Sequence, residues 1–116
     1  MALNGRAYNR RRRFGSRLNL GLWETHKSKR VQVLTLAAGQ CVPWHYHTEI
    51  SDSFVCLEGP MVVETRAPRQ VYRLLPGERC AVPPKTAHYV HGEADAACRF
   101  LIVQGVGVYD FVVVGG

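Results

Sequence analysis

The sequence lacks several features that would point to common classes of protein. Its four cysteines are widely spaced and form no C-x-x-C pair, which argues against a zinc ribbon and against a thioredoxin-like redox motif. No run approaches the about 18 consecutive apolar residues that a membrane-spanning helix requires, so we expect no membrane segment. Because no secretion signal is recognisable, we expect reduced thiols in a cytoplasmic protein. No stretch shows convincing helical periodicity.

Acidic residues are absent before Glu24, and this absence locates the charge of the chain. The formal net charge of +6 equals the six arginines within residues 1–17, whereas residues 18–116 hold nine basic and nine acidic side chains. We therefore expect residues 1–17 to form a basic, flexible tail and residues 18–116 to form a single domain. Two alternatives for the tail stay open: a contact with phosphates or an acidic partner, and an organellar transit segment. The neutral domain gives no reason to expect nucleic-acid binding.

Short alternating segments separated by turn residues make up the rest of the chain. Breakers such as Pro76-Gly77 recur about every eight to twelve residues, a spacing typical of an all-β sandwich or barrel. Glu58-Gly59-Pro60 has the composition of a hairpin turn between two such segments. The predicted strands cover residues 30–36, 53–57, 61–65, 70–75, 79–82, 87–91, 98–103 and 109–114.

Three histidines and one acid are spaced so that they can meet at one point. His45 and His47 project from the same face of an extended chain, because side chains alternate along a strand. Asp52 begins a returning strand and can bring its carboxylate to the same point, whereas His88 must come from a different strand. Neutral imidazole nitrogen and carboxylate oxygen suit Fe, Mn, Ni, Zn or Cu, so we expect one divalent transition metal.

The residues around the first two histidines resemble the first motif of the cupin superfamily, G-x5-H-x-H-x3-4-E-x6-G. The matching residues are Gly39, His45, His47 and Gly59. Asp52 stands at the acidic position, one methylene shorter than the family's Glu. A direct Asp52–metal bond therefore needs a closer backbone, and the alternatives are a metal-bound water held by Asp52 or a site of three histidines alone.

The residues that end at His88 resemble the second motif of the same family, G-x5-P-x-G-x2-H-x3-N. Gly77, Pro83 and His88 match in register, while Lys85 replaces the family's Gly and Gly92 replaces its Asn. We expect Lys85 to change the loop before His88 and to place a cation at the cavity rim. Two motifs at a compatible separation are a more specific signal than a single H-x-H.

The resemblance implies an all-β fold, the double-stranded β-helix or jelly-roll barrel of cupins, over residues 18–116. It implies metal ligation by His45, His47, His88 and Asp52, and a homodimer. The favoured function is a metal-dependent enzyme of dioxygenase, isomerase or lyase type that acts on a small polar or carboxylated molecule. The alternative is a non-catalytic cupin that binds a metal or senses a ligand. Fold alone does not decide between them.

Strand parity also proposes the residues that line a pocket. If Asp52 points inward, so do Phe54 and Cys56, and Val90 does so on the strand of His88. These side chains either form an apolar wall around a ligand or simply fill the barrel core. His91 has the opposite parity to His88 and is expected either to face outward or to contact the metal ligands from outside. Four further side chains are candidates for contact with an anionic substrate at the mouth, without a predicted direction: Tyr72, Arg73, Arg99 and Tyr109.

Overall fold

Residues 25–26 and 30–115 are described by the structure, a computed structural model. The predicted tail at residues 1–17 and the boundary at residue 18 lie outside the described residues. The described part of the chain forms eleven strands and one three-residue 3-10 turn at Glu93–Asp95. In chain order the strands are β1 (Thr25–His26), β2 (Arg30–Leu36), β3 (Cys41–Tyr46), β4 (Asp52–Glu58), β5 (Met61–Thr65), β6 (Gln70–Leu74), β7 (Arg79–Val82), β8 (His88–Gly92), β9 (Cys98–Gln104), β10 (Gly107–Val108) and β11 (Val112–Val113).

The hydrophobic core lies between two antiparallel sheets. The five-stranded sheet has the order β11-β3-β8-β5-β6, the four-stranded sheet has the order β2-β9-β4-β7, and β1 pairs separately with β10. Buried apolar side chains from both larger sheets form one cluster, for example Phe54 and Phe100 from one sheet and Met61 and Val90 from the other. This arrangement confirms the predicted all-β jelly-roll fold.

Burial alternates along the strands as the period-two pattern predicts. On β4 the side chains of Asp52, Phe54 and Cys56 are buried, and on β8 those of His88 and Val90 are buried. Because successive side chains point to opposite faces of a sheet, a polar residue with the parity of the core must lie inside it. The alternation therefore carries Asp52 and His88 into the interior.

Glu58-Gly59-Pro60 is not the hairpin turn that its composition predicts. β4 belongs to the four-stranded sheet and β5 to the five-stranded sheet, so this segment crosses from one sheet to the other. The crossing is tight: a Cβ on Gly59 would lie 2.6 Å from the backbone nitrogen of Met61 and 2.7 Å from Sγ of Cys56. Glycine is therefore required by close packing, which the local sequence does not distinguish from a turn.

The strand predicted at residues 109–114 is also wrong in most of its length. Only Val112–Val113 forms a strand, which pairs with Tyr46 and His45 of β3. Residues 109–111 leave the extended ladder because they turn toward the histidines.

Within the described residues, no helix has both the length and the apolar character that crossing a membrane requires.

Gly92 lies where a side chain has no room, which accounts for the departure from Asn in the second motif. An added Cβ would lie 1.8 Å from the carbonyl oxygen of Ala96. We expect Gly92→Ala to lower the free energy of unfolding by about 1–3 kcal/mol, as overpacking usually does. Gly115→Ala is the matched control, because a Cβ there meets nothing within 4 Å. Urea denaturation measures both, and equal midpoints would contradict the steric account.

Candidate metal centre

The three predicted histidines lie at the ends of neighbouring strands of one sheet. His45 belongs to β3 and is directly opposite His88, the first residue of β8, in the antiparallel register. His47 follows β3, and its ring centroid lies 4.8 Å from that of His45. Asp52 is the first residue of β4 in the other sheet. The site therefore bridges the two sheets, and strand pairing brings the histidines together.

Backbone carbonyls fix the orientation of all three imidazole rings. Nδ1 of His45 lies 2.7 Å from the carbonyl oxygen of Pro43, and Nδ1 of His88 lies 2.8 Å from that of Thr86. Nδ1 of His47 lies 2.5 Å from the carbonyl oxygen of Asp110. A carbonyl oxygen only accepts hydrogen bonds, so each Nδ1 carries the proton and donates it. In the neutral rings each Nε2 then presents a lone pair.

These Nε2 atoms face the Asp52 carboxylate. Oδ2 of Asp52 lies 2.9 Å from Nε2 of His47 and 3.0 Å from Nε2 of His88. The other oxygen, Oδ1, accepts a hydrogen bond of 3.0 Å from Nε2 of Gln104, which is also buried. The donor atoms of His45, His47, Asp52 and His88 all lie within 4.8 Å of one another.

Burial makes a charge on any side chain of this cluster energetically costly. Each of the four side chains is at most 3% exposed. Burial lowers the pKa of His45 well below its usual value, and the charges of His88 and His47 act in the same direction. Burial also opposes the charged forms of His47 and Asp52, but their mutual attraction outweighs it: the pKa of His47 is raised and that of Asp52 is held well below its usual range.

The donor set fits a transition-metal ion. Three imidazole nitrogens and one carboxylate oxygen are ligands that Zn, Fe, Mn, Ni and Cu accept. Ligand atoms held at about 2.1 Å from an ion and at right angles to each other lie about 3.0 Å apart, close to the two Nε2–Oδ2 separations. The carbonyl contacts at Nδ1 are the outer hydrogen bonds that metal-ligating histidines usually make. Asp52 reaches the histidines despite its shorter side chain.

A small cavity of about 30 Å³ adjoins the cluster. His45, His47 and Asp52 line it, and of the three side chains predicted to line a pocket it contacts Phe54 and Val90. Cys56 is buried in the apolar cluster and is not among the lining residues that the structure describes. The wall is mostly apolar, and the volume is about that of one or two water molecules. Phe54 and Val90 thus both line the cavity and fill the core.

Among the lining residues that the structure describes, the cation is Arg30, which sequence reasoning missed. Lys85, expected at the rim, is exposed. Its φ of 63° is the left-handed conformation that glycine adopts readily. Its backbone amide donates a hydrogen bond of 2.7 Å to the carbonyl oxygen of His47. Of the four candidates for the mouth, only Tyr109 lines the cavity. On the exterior, Arg73 forms an ion pair with Glu93, and Arg99 forms one with Glu58. The Tyr72 hydroxyl donates a hydrogen bond to Gln70.

Residues 109–111 close the site from the C-terminal side, which the sequence pattern did not indicate. The Phe111 ring stacks on His45 at 4.1 Å between centroids, and the Tyr109 ring lies 5.3 Å from that of His47. The carboxylate of Asp110 accepts hydrogen bonds from the backbone amide and the hydroxyl of Thr48 at 2.7 Å and 2.5 Å. This pair, the Asp110–Thr48 clamp, holds the Asp110 carbonyl against His47. Sequence separation of more than 60 residues hides the contact.

The clamp predicts a measurable contribution to stability. Asp110→Ala removes both oxygen atoms that accept hydrogen bonds from Thr48. We therefore expect the free energy of unfolding to fall by about 1–3 kcal/mol in urea denaturation. Asp110→Asn is the matched variant, since its amide oxygen can still accept one of the two hydrogen bonds, and its loss should be smaller. Equal losses in the two variants would show that the carboxylate does not act as this acceptor.

Solved structures of other proteins have a similar fold. A cupin-superfamily sugar phosphate isomerase from Silicibacter pomeroyi is 25% identical, with a TM-score of 0.57 over 67% of this chain and 50% of that one. An oxalate decarboxylase mutant from Bacillus subtilis is 20% identical, with a TM-score of 0.67 over 76% of this chain and 24% of that one. A conserved double-stranded β-helix protein from Klebsiella pneumoniae is 18% identical, with a TM-score of 0.64 over 86% and 90% of the two chains.

The chain thus spans about half the length of the isomerase and about a quarter of the decarboxylase. No protein of curated function matches the sequence. A family model for the cupin domain matches residues 32–104, a range that contains all four residues of the cluster. On the strength of that match, the fold and the two motifs, this chain belongs to the cupin family.

Proposed function

We propose that this chain binds one divalent transition metal through His45, His47, Asp52 and His88. The observation that carries the proposal is the orientation of the rings. Every Nδ1 proton is committed to a backbone carbonyl, so the Nε2 lone pairs of three buried imidazoles converge beside one carboxylate. This is the state in which imidazole binds a metal.

Hydrogen bonds alone stabilise this arrangement of Asp52, His47 and His88 poorly. Oδ2 of Asp52 lies within hydrogen-bonding distance of Nε2 of both His47 and His88, and with Nδ1 already protonated each contact would require a second proton on the ring. Protonation of both rings would then place two positive charges side by side in a buried site, which like-charge repulsion opposes. One divalent ion beside the carboxylate uses all the lone pairs and leaves the imidazoles neutral.

The chemistry of the cavity favours a metal-dependent enzyme of dioxygenase, isomerase or lyase type. A bound divalent ion would supply Lewis acidity toward a carbonyl or carboxylate oxygen or, if it is iron, activation of oxygen. Outside the cluster, the titratable side chains among the described lining residues are Arg30 and Tyr109. Burial raises the pKa of Tyr109, so its phenol stays protonated and neither residue is a ready base near neutral pH. The protein's own part is to exclude water and orient a small polar or carboxylated molecule.

The similar proteins are compatible with this function and do not specify it. The Silicibacter pomeroyi protein is an isomerase of sugar phosphates, which supports a catalytic use of this fold at 25% identity. The non-catalytic alternative, a metal- or ligand-binding cupin, is supported by the cavity, whose about 30 Å³ leaves little room beside an ion. Turnover of a substrate by the metal-loaded chain separates the two.

Two further proposals concern the state of the protein in the cell. A homodimer is supported by apolar side chains on the outer face of the four-stranded sheet, where Val31 is 59% and Val33 is 48% exposed; exposed apolar faces of this kind favour association. A cytoplasmic location is supported by the four cysteines, all of which are free thiols.

Metal analysis tests the site. In chain purified without a metal-affinity step, we expect about one equivalent of a divalent transition metal by elemental analysis. His47→Ala removes a ligand and should lower metal affinity by at least about 10–100-fold, the loss that even outer hydrogen-bond partners of metal ligands cause. Asp52→Asn should also weaken binding, because it removes the anionic ligand that offsets part of the charge of the ion.

His91→Ala is the matched control for His47→Ala. His91 lies on β8 but outside the cluster, with Nε2 2.7 Å from a carboxylate oxygen of Glu64. It should keep the full metal content. Full retention of metal by His47→Ala, or an equal loss in His91→Ala, would show that the ion binds elsewhere.

A further inference from the structure

A groove of about 450 Å³ lies on the outer face of the four-stranded sheet. The described residues that line it belong to three neighbouring strands, β4, β7 and β9: Ser53, Val55, Arg79, Cys80, Ala81 and Val103. Ser53 lies directly between Ala81 and Val103 in the antiparallel register. Two small side chains thus stand beside a larger one, which leaves a depression in the sheet surface. Because Ser53 and Val103 have the opposite parity to the buried residues of their strands, the groove faces away from the metal centre.

The wall of this groove is mostly apolar. Ser53 and the exposed Arg79 are its polar members, and the remaining lining side chains are valine, alanine and cysteine. Covering such a wall removes apolar surface from water, which is favourable. Val31 and Val33, the valines that support a homodimer, belong to β2 and do not line the groove. The groove is therefore available to an occupant other than the dimer partner.

A short apolar segment precedes the described residues. Residues 18–23 have the sequence LNLGLW, in which Leu18, Leu20 and Leu22 occupy every second position. In an extended chain these leucines project to one side and repeat about every 6.8 Å. Ser53 and Val55, two residues apart on β4, have the same repeat on the outer face of the sheet. The leucines therefore match the groove both in polarity and in spacing.

The strand that follows this segment begins beside the groove. Thr25 pairs with Val108 of β10. The neighbouring Gly107 packs so closely on Ile50, two residues before β4, that an added Cβ would lie 3.3 Å from the Ile50 side chain. From Ile50 to Val55 an extended strand covers about 17 Å. Residues 18–24 can span about 23–25 Å when extended, so the leucines can reach the whole groove.

We propose that residues 18–23 dock in the groove of their own chain, with Leu18, Leu20 and Leu22 against its apolar wall. The short connection to Thr25 favours this occupant over a second copy, because a tethered segment has an effective concentration in the millimolar range. Docking would add a layer of chain behind β4, the strand that begins with Asp52. The proposal is independent of the metal and of any catalytic activity.

Two native thiols test the proposal in the full-length chain. Cys80 lines the groove, whereas Cys41 lies on β3 of the other sheet, and both are half-buried. Their rates of alkylation by iodoacetamide are measured by mass spectrometry of the labelled peptides. Because burial raises the pKa of Cys80 to about 11, all chains are compared at one fixed pH.

Replacing the three leucines together, Leu18→Ser, Leu20→Ser and Leu22→Ser, should speed alkylation of Cys80 by at least about tenfold. The reason is that the segment loses the apolar burial that keeps it over the thiol. Cys41 should react at an unchanged rate. The matched control is the double variant Asn19→Ser and Gly21→Ser, which alters the same segment at the opposite parity and should leave the rate of Cys80 unchanged.

Equal rates for Cys80 in the unaltered chain and in the leucine variant would overturn the proposal. A Cys80 rate that falls as the chain concentration rises would identify a second copy as the occupant and would also overturn it. If the leucine variant does not fold, Cys41 also reacts faster, and Val55→Asn takes its place. This substitution makes the groove polar at an outward-facing position and should speed alkylation of Cys80 alone. An unchanged Cys80 rate in that folded variant would contradict the docking.

Discussion

Three hydrogen bonds from imidazole Nδ1 to backbone carbonyls are the interactions on which the site depends. The carbonyls of Pro43, Thr86 and Asp110 accept them, and each determines both the tautomer and the direction of one ring. Without them a neutral histidine could place its proton on Nε2 and leave no lone pair at the nitrogen that faces the cluster. The acceptors belong to the backbone, so the β-scaffold itself controls the chemistry of the side chains.

The scaffold supplies these acceptors from three separated parts of the chain. Pro43 belongs to β3, Thr86 lies in the loop before β8, and Asp110 lies beyond β10. Buried polar groups are costly unless they are hydrogen-bonded, so the cluster and the surrounding backbone stabilise each other only when the whole arrangement is complete. The Asp110–Thr48 clamp and the stacking of Phe111 on His45 complete it from the C-terminal side. The contacts that close the barrel at this end therefore also determine the geometry of the site.

Much of this arrangement is predictable from period-two alternation and from the spacing of the histidines. Parity alone carries Asp52, Phe54 and Val90 inward, and the two motifs identify the cluster. Local patterns fail where a distant contact decides the conformation. Gly59 looks like a turn residue but makes room for a crossing between sheets. Arg30 escapes prediction because an arginine at the start of an amphipathic strand resembles any solvated surface charge until the opposite wall is known.

The most direct test of the account is X-ray absorption spectroscopy at the edge of the bound metal in the chain as purified. We predict scattering from three imidazole rings with nitrogen and oxygen neighbours at about 2.0–2.2 Å and no sulfur neighbour. Sulfur at about 2.3 Å would place the ion on the cysteines, and a shell without imidazole scattering would place it outside the histidine cluster. Either result would contradict the central claim that the three lone pairs hold the metal.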